Sequence, residues 1–165
     1  MYDFQPDPDL SPAERYRQLA EAADALTSGE SDAVANMANV AALVWEFVPD
    51  LNWAGFYRMG ANDAGKLELV LGPFVGRPAC IRIPIGQGVC GAAVARKATQ
   101  LVEDVHAFPG HIACDALSRS EVVVPVMRDG EVIAVIDCDS PSPARFSEED
   151  AKGLELLAKT IGPRL

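Results

Sequence analysis

The sequence changes its hydrophobic spacing at Asn52, and this change constrains the fold more than any other feature. Upstream, a capping-box sequence that begins at Ser11 predicts a helix to about Leu26. A second helix follows Ser31 and keeps its apolar side chains at helical spacing until Pro49 stops it. The apolar residues at this spacing are Val34, Met37, Val40, Ala41, Val44 and Phe47. We therefore predict two N-terminal helices within about 11–47.

Downstream of this change, the chain is rich in β-forming residues. Runs at 53–59 and 67–74 flank a glycine-containing turn, and runs at 121–127 and 131–137 flank the hairpin signal Asp-Gly at 129–130. Between these pairs, 80–85 alternates Ile81, Ile83 and Ile85 with small or polar residues, which predicts a further strand. A capping box at 147–150 begins a last helix to about 161. This order predicts an α+β fold, a central antiparallel sheet with flanking helices.

Length and charge limit the possible functions. A chain of 165 residues has the usual size of one domain, so we expect a single domain over 1–165, with the sheet and its loops at about 52–139. A net charge of −10 disfavours nucleic acid and anionic membrane surfaces. The sequence shows neither a membrane span nor a signal peptide, which predicts a cytoplasmic location.

The cysteines carry the strongest functional signal. They stand at Cys80, Cys90, Cys114 and Cys138, with no Cys-x-x-Cys pair, and the two histidines are five residues apart, so the spacing does not favour a metal site. Cys138 lies in an apolar strand and is interpreted as a buried core residue. The other three lie near loops or strand ends. Cys114 follows a histidine-containing loop, which makes it the best candidate nucleophile.

A glycine-rich segment at 86–91 matches the G-x-G-x-x-G pattern of dinucleotide-binding proteins. The helix after it is predicted to be short, and the segment does not open a βαβ unit. We therefore do not expect a nicotinamide cofactor.

Acidic and aromatic residues form a second candidate group. Asp137 and Asp139 close the last strand, and Glu121 opens its hairpin partner, so the three carboxylates are expected at one end of the sheet, where they can hold an ammonium group or simply form solvated turns. Trp53 and Tyr57 are four residues apart on a strand and share one face. They fit either the core or a ligand pocket.

Several motifs together resemble one known family. The motifs are LNWAGFY at 51–57, IGQGVCG at 85–91, HAFPGHIAC at 106–114, SE at 120–121 and DCDSP at 137–141. With them, the sequence resembles the GAF-domain free methionine-(R)-sulfoxide reductases, from about Trp53 to the C-terminal helix. The family's cysteines fall on Cys80, Cys90 and Cys114, while Cys138 departs from its pattern. The resemblance implies a GAF-like fold.

The resemblance also implies a mechanism, that of an oxidoreductase acting on sulfur with a disulfide as acceptor. Cys114 attacks the sulfoxide sulfur of free methionine sulfoxide, and the resulting sulfenic acid is captured by Cys80, or by Cys90 as a second resolving or accessory thiol. Glu121 or one of the aspartates serves as the acid.

The same resemblance places Trp53, Tyr57, Glu121, Asp137 and Asp139 in the substrate pocket. Thioredoxin or another external dithiol would reduce the disulfide, with no metal and no organic cofactor, in repair after oxidative stress. A homodimer is compatible with the sequence. The alternative is a non-catalytic GAF module that binds a small molecule or senses redox state.

Overall fold

The structure is a computed structural model that describes residues 6–7, 9–110 and 116–165. Within these residues the helices are α1 (Pro12–Thr27), α2 (Ala33–Phe47), α3 (Gly88–Arg96) and α4 (Glu148–Ile161). The strands are β1 (Trp53–Ala61), β2 (Leu67–Gly76), β3 (Arg82–Pro84), β4 (Gln100–Val102), β5 (Ser120–Arg128) and β6 (Glu131–Ser140). Two short 3₁₀ helices cover Val105–Ala107 and Gly162–Arg164.

The helix starts follow the local sequence signals. Ser11 and Ser147 each accept a hydrogen bond from the backbone N–H three residues on. The side chains of Glu14 and Asp150 in turn accept from the backbone N–H of Ser11 and Ser147, so both predicted capping boxes form. Asp32 caps α2 through its side chain. The helices therefore begin where their caps satisfy the first free amide groups.

All six strands form one antiparallel sheet in the order β3-β2-β1-β6-β5-β4. α2 packs against β1 and β2, α4 packs against β5, and α1 lies over these two helices. α3 packs against β5 and β6 with its own buried cluster. The predicted α+β fold, a central antiparallel sheet with flanking helices, is confirmed.

Alternation along the strands divides the interior into two cores. One sheet face, here called the helix face, packs against α1, α2 and α4 through Ala54, Phe56, Val122, Ile136 and Cys138. The opposite face, here called the site face, packs with α3 through Trp53, Tyr57, Val123 and Val135. Adjacent residues of one strand therefore belong to different environments.

The strand predicted at 80–85 is shorter than expected. Among the described residues, β3 pairs only with β2, so Ile83 is buried whereas Ile81 is 71% exposed and Ile85 is 37% exposed. An edge strand this short buries only its central side chain. Val34 is 52% exposed, because it lies in the first turn of α2, outside the stripe that contacts the sheet. Among the described residues, no helix is both long and apolar enough to span a membrane.

Candidate active site

The strand register brings the predicted carboxylates together. Glu121 of β5 pairs with Asp139 of β6, and Val123 pairs with Asp137. Because side chains two residues apart lie on the same face of a strand, all three acidic residues lie on the site face. Glu121 and Asp137 are buried and Asp139 is half-buried. The expected convergence at one end of the sheet is what the structure contains.

Burial changes the protonation of this cluster. It raises the pKa of Glu121 well above its usual range, and repulsion from Asp137 and Asp139 adds to the effect. Burial also raises the pKa of Asp137 to about 7, partly offset by hydrogen bonds from Cys90 and Glu121. Two carboxyls this close cannot both be charged at low cost, so the pair holds a proton near neutral pH.

Cys90 reaches the cluster from α3. The next residue, Gly91, lets the start of α3 lie close to the end of β3, because a Cβ at this position would lie 2.5 Å from the carbonyl oxygen of Pro84. The Cys90 thiol donates to Oδ2 of Asp137 at 3.2 Å. Burial and the negative charge of Asp137 raise the pKa of this thiol well above its usual range, so it stays neutral and is a poor nucleophile.

An aromatic wall stands beside the cluster. The Trp53 ring stacks with Tyr57 at 5.8 Å and with Phe74 at 5.2 Å between centroids. Gly55 lies opposite both Asp137 and Phe74, and a Cβ there would lie 2.4 Å from the Cβ of Phe74. The glycine therefore lets the wall and the acidic cluster sit side by side.

Sequence reasoning missed Phe74 and Gly55. For Gly55 a signal was available in the alternation of the strand. Gly55 lies between Trp53 and Tyr57 on the same face, and a glycine inside a strand often marks a place where another part of the protein comes close to the backbone. No comparable local signal marks Phe74, because its position depends on the pairing of β2 with β1.

The aromatic residues also hold the segment that contains Cys80. The Tyr57 hydroxyl donates to the Cys80 carbonyl oxygen at 3.0 Å, and Trp53 Nε1 donates to the Arg77 carbonyl oxygen at 3.1 Å. Cys80 is disulfide-bonded in this structure. The predicted nucleophile Cys114 lies outside the described residues.

Cys138 is a free thiol on the helix face. It is fully buried, and it pairs with Ala54 and Val122 across the neighbouring strands. The sheet separates it from the carboxylates of its chain neighbours Asp137 and Asp139. This position agrees with its interpretation as a core residue.

Comparisons with known proteins identify the family of this chain. A family model described as GAF domain matches residues 32–164. The Escherichia coli (strain K12) free methionine-R-sulfoxide reductase is 48% identical over 152 residues, which are 92% of this chain and 89% of that protein. A Neisseria meningitidis free methionine-R-sulfoxide reductase, whose X-ray structure is a complex with its substrate, superposes with a TM-score of 0.90 at 44% identity, covering 99% of this chain and 95% of that chain.

A Burkholderia vietnamiensis structure that carries the provisional name GAF sensor protein has a TM-score of 0.86 and 53% identity, covering 94% of this chain and 96% of that chain. The matches extend over most of the sequence. The chain therefore belongs to the GAF-domain family of free methionine-(R)-sulfoxide reductases.

Proposed function

We propose that this protein reduces the R sulfoxide of free methionine to methionine. The observation that carries the proposal is the buried Glu121–Asp137 pair beside the aromatic wall of Trp53 and Phe74. This site offers a proton donor next to an apolar surface, which suits the polar S=O group and the apolar carbon chain of methionine sulfoxide. The names of the Escherichia coli and Neisseria meningitidis relatives support the same reaction.

Glu121 is the proposed general acid. A sulfoxide sulfur becomes a better electrophile when its oxygen is protonated, and a carboxyl with a raised pKa keeps the needed proton at neutral pH. Burial is the main reason that this proton is retained, and the second carboxyl, Asp137, adds to the effect, because ionisation of both would place two buried charges side by side.

Asp137 and Asp139 are the proposed partners of the substrate ammonium group. A free amino acid carries this cation, whereas the corresponding nitrogen of a methionine inside a peptide is a neutral amide. A buried carboxylate recovers much of its desolvation cost only when a cation is bound. The acidic cluster therefore favours the free amino acid over peptide-bound methionine sulfoxide.

Cys114 is the proposed nucleophile. Its thiolate attacks the sulfoxide sulfur, the oxygen is transferred to the cysteine, and methionine leaves with its sulfur reduced by two electrons. The Cys114 sulfenic acid then reacts with the Cys80 thiol to give a disulfide and water, and a dithiol such as thioredoxin reduces this disulfide back to two thiols. No metal or organic cofactor enters these steps.

The described cysteines support this assignment of roles. Cys80 is disulfide-bonded, whereas Cys90 and Cys138 are free thiols. Cys90 is hydrogen-bonded to Asp137 and held neutral, and Cys138 is buried on the opposite face. Peptide mapping of protein oxidised by the substrate and trapped at low pH is expected to find Cys80 joined to Cys114. A dominant Cys90–Cys114 link would instead make Cys90 the resolving thiol.

The activity is tested by incubating reduced protein and a dithiol with racemic free methionine sulfoxide and then resolving the stereoisomers. We expect loss of the form that is R at sulfur and retention of the S form and of a peptide-bound sulfoxide. Consumption of both forms at equal rates, or of the peptide alone, would refute the proposal.

The provisional name of the Burkholderia vietnamiensis protein favours a sensing role as the second candidate. That role predicts stoichiometric ligand binding without release of methionine.

A further inference from the structure

Three side chains of different elements point their ligand atoms at one buried position. They are Cys90 of α3, Glu121 of β5 and Asp137 of β6, and their ligand atoms all lie within 4.8 Å of one another. At least nine-tenths of each residue's surface is buried. The cluster therefore combines one thiol and two carboxyls on residues that are almost fully buried.

One atom of this cluster lacks the usual partners of a buried oxygen. Oδ2 of Asp137 accepts from Cys90, but Oδ1 is buried and receives no hydrogen bond from an amide, hydroxyl or cationic donor among the described residues. Apart from the proton that the carboxyl shares with Glu121, the described residues offer this oxygen no donor, and native proteins rarely leave a buried carboxyl so poorly paired. A bound cation is one ligand that satisfies it.

We propose that Cys90, Glu121 and Asp137 form a binding site for Zn²⁺. Sequence spacing did not predict it, since the three residues are far apart in the chain and converge only through the packing of α3 on the sheet. A thiolate is a soft ligand, so the site selects zinc over magnesium and calcium, which prefer oxygen ligands alone. Coordination releases the protons of the thiol and the carboxyl pair to solvent.

One pair of ligand atoms already has nearly the spacing that the ion requires. With Zn–S near 2.3 Å and Zn–O near 2.0 Å, a tetrahedral ion sets the sulfur and oxygen ligands about 3.5 Å apart. Cys90 Sγ and Asp137 Oδ2 are 3.2 Å apart. Three protein ligands leave the fourth position to water, so the bound ion stays exchangeable.

Occupation by zinc has a consequence that rests on the proposed function. The ion would use the same carboxyls that we assign to the proton donor and to the ammonium group. Zinc and free methionine sulfoxide then exclude each other, and zinc acts as a reversible inhibitor.

The test uses the full chain in its disulfide form, where the described free thiols are Cys90 and the matched control Cys138. Anaerobic titration with Co²⁺, the spectroscopic substitute for Zn²⁺, is expected to give a sulfur-to-cobalt charge-transfer band at one equivalent per chain. Zinc should abolish this band. Cys90→Ser should lose the band and Cys138→Ser should keep it. Asp137→Asn should weaken cobalt binding by at least about tenfold, because loss of a residue that only hydrogen-bonds to a metal ligand already weakens metal binding by that much.

Far-ultraviolet circular dichroism establishes that each variant is folded before the titration. A charge-transfer band that survives Cys90→Ser, or the absence of any band in the unmodified protein with excess Co²⁺, would overturn the proposal. The measurement contains no sulfoxide. A negative result therefore leaves the proposed reductase activity intact, and loss of that activity would leave the metal site intact.

Discussion

Replacing Asp137 by Asn is expected to flatten the pH dependence of the protein's stability. In the unfolded chain this carboxyl has its ordinary pKa of 3.8, whereas burial raises its pKa to about 7 in the folded protein. Between these pH values the folded state binds more protons than the unfolded state. Raising the pH through this window therefore lowers the free energy of unfolding.

The magnitude follows from the size of the change. At about 1.4 kcal/mol for each tenfold change in proton affinity, the difference corresponds to a loss of about 4 kcal/mol between pH 4 and pH 8. Asn cannot ionise, so Asp137→Asn should lack this contribution and keep only the loss that the raised pKa of Glu121 causes. The prediction concerns how steeply the free energy of unfolding changes with pH. Its absolute value also changes, because the substitution alters the hydrogen bond with Cys90.

Urea unfolding followed by circular dichroism, in the disulfide form at several pH values, measures this slope. Asp63→Asn is the matched control, because Asp63 is an exposed residue of the β1–β2 turn. The free energy of unfolding of the control should follow that of the unmodified protein. Parallel pH profiles for Asp137→Asn and the unmodified protein would refute the reasoning, as would a stability of the unmodified protein that rises relative to the variant over this window.

Further substitutions separate catalysis from folding. Cys114→Ser should abolish methionine release in a single turnover while Cys138→Ser retains it, and release of about one equivalent by the former would reject Cys114 as nucleophile. Asp150→Ala should lower the free energy of unfolding in urea by about 2 kcal/mol, because Asp150 closes a capping box and accepts a buried tyrosine hydroxyl at 2.7 Å; an unchanged midpoint would contradict this. Gly55→Ala should cost about 1–3 kcal/mol by the same measurement, through overlap with Phe74, and an alanine variant of full stability would show that β2 can move away.

Local signals predicted the elements whose ends are set by their own residues. The serine caps at Ser11 and Ser147 marked two helices, and the Asp-Gly turn after Arg128 marked the hairpin of β5 and β6. The acidic cluster could also be predicted, because alternation along a hairpin determines which side chains share a face. These features depend on neighbours in the sequence or on one turn.

Features that depend on distant partners could not be predicted in the same way. β4 has three residues, and it is a strand because 100–102 pairs with 121–123 of β5. Phe74 joins the site through its pairing opposite Gly55, and Cys90 joins it through the packing of α3. The sequence contains the residues of each contact but no local signal for the register that produces it.

The segment Asp137-Cys138-Asp139 shows how a single register defines the chemistry of the site. Its central thiol packs among apolar side chains of the helix face, whereas the residues on either side place carboxyls on the site face. A shift of one residue in the pairing of β6 would exchange these positions, placing two charged groups in the apolar core and a thiol beside Glu121. Burying those charges in the helix-face core without partners would cost far more free energy than the new position of the thiol could recover. The apolar helix-face core therefore fixes the register of β6, and this register keeps the acidic cluster on the site face.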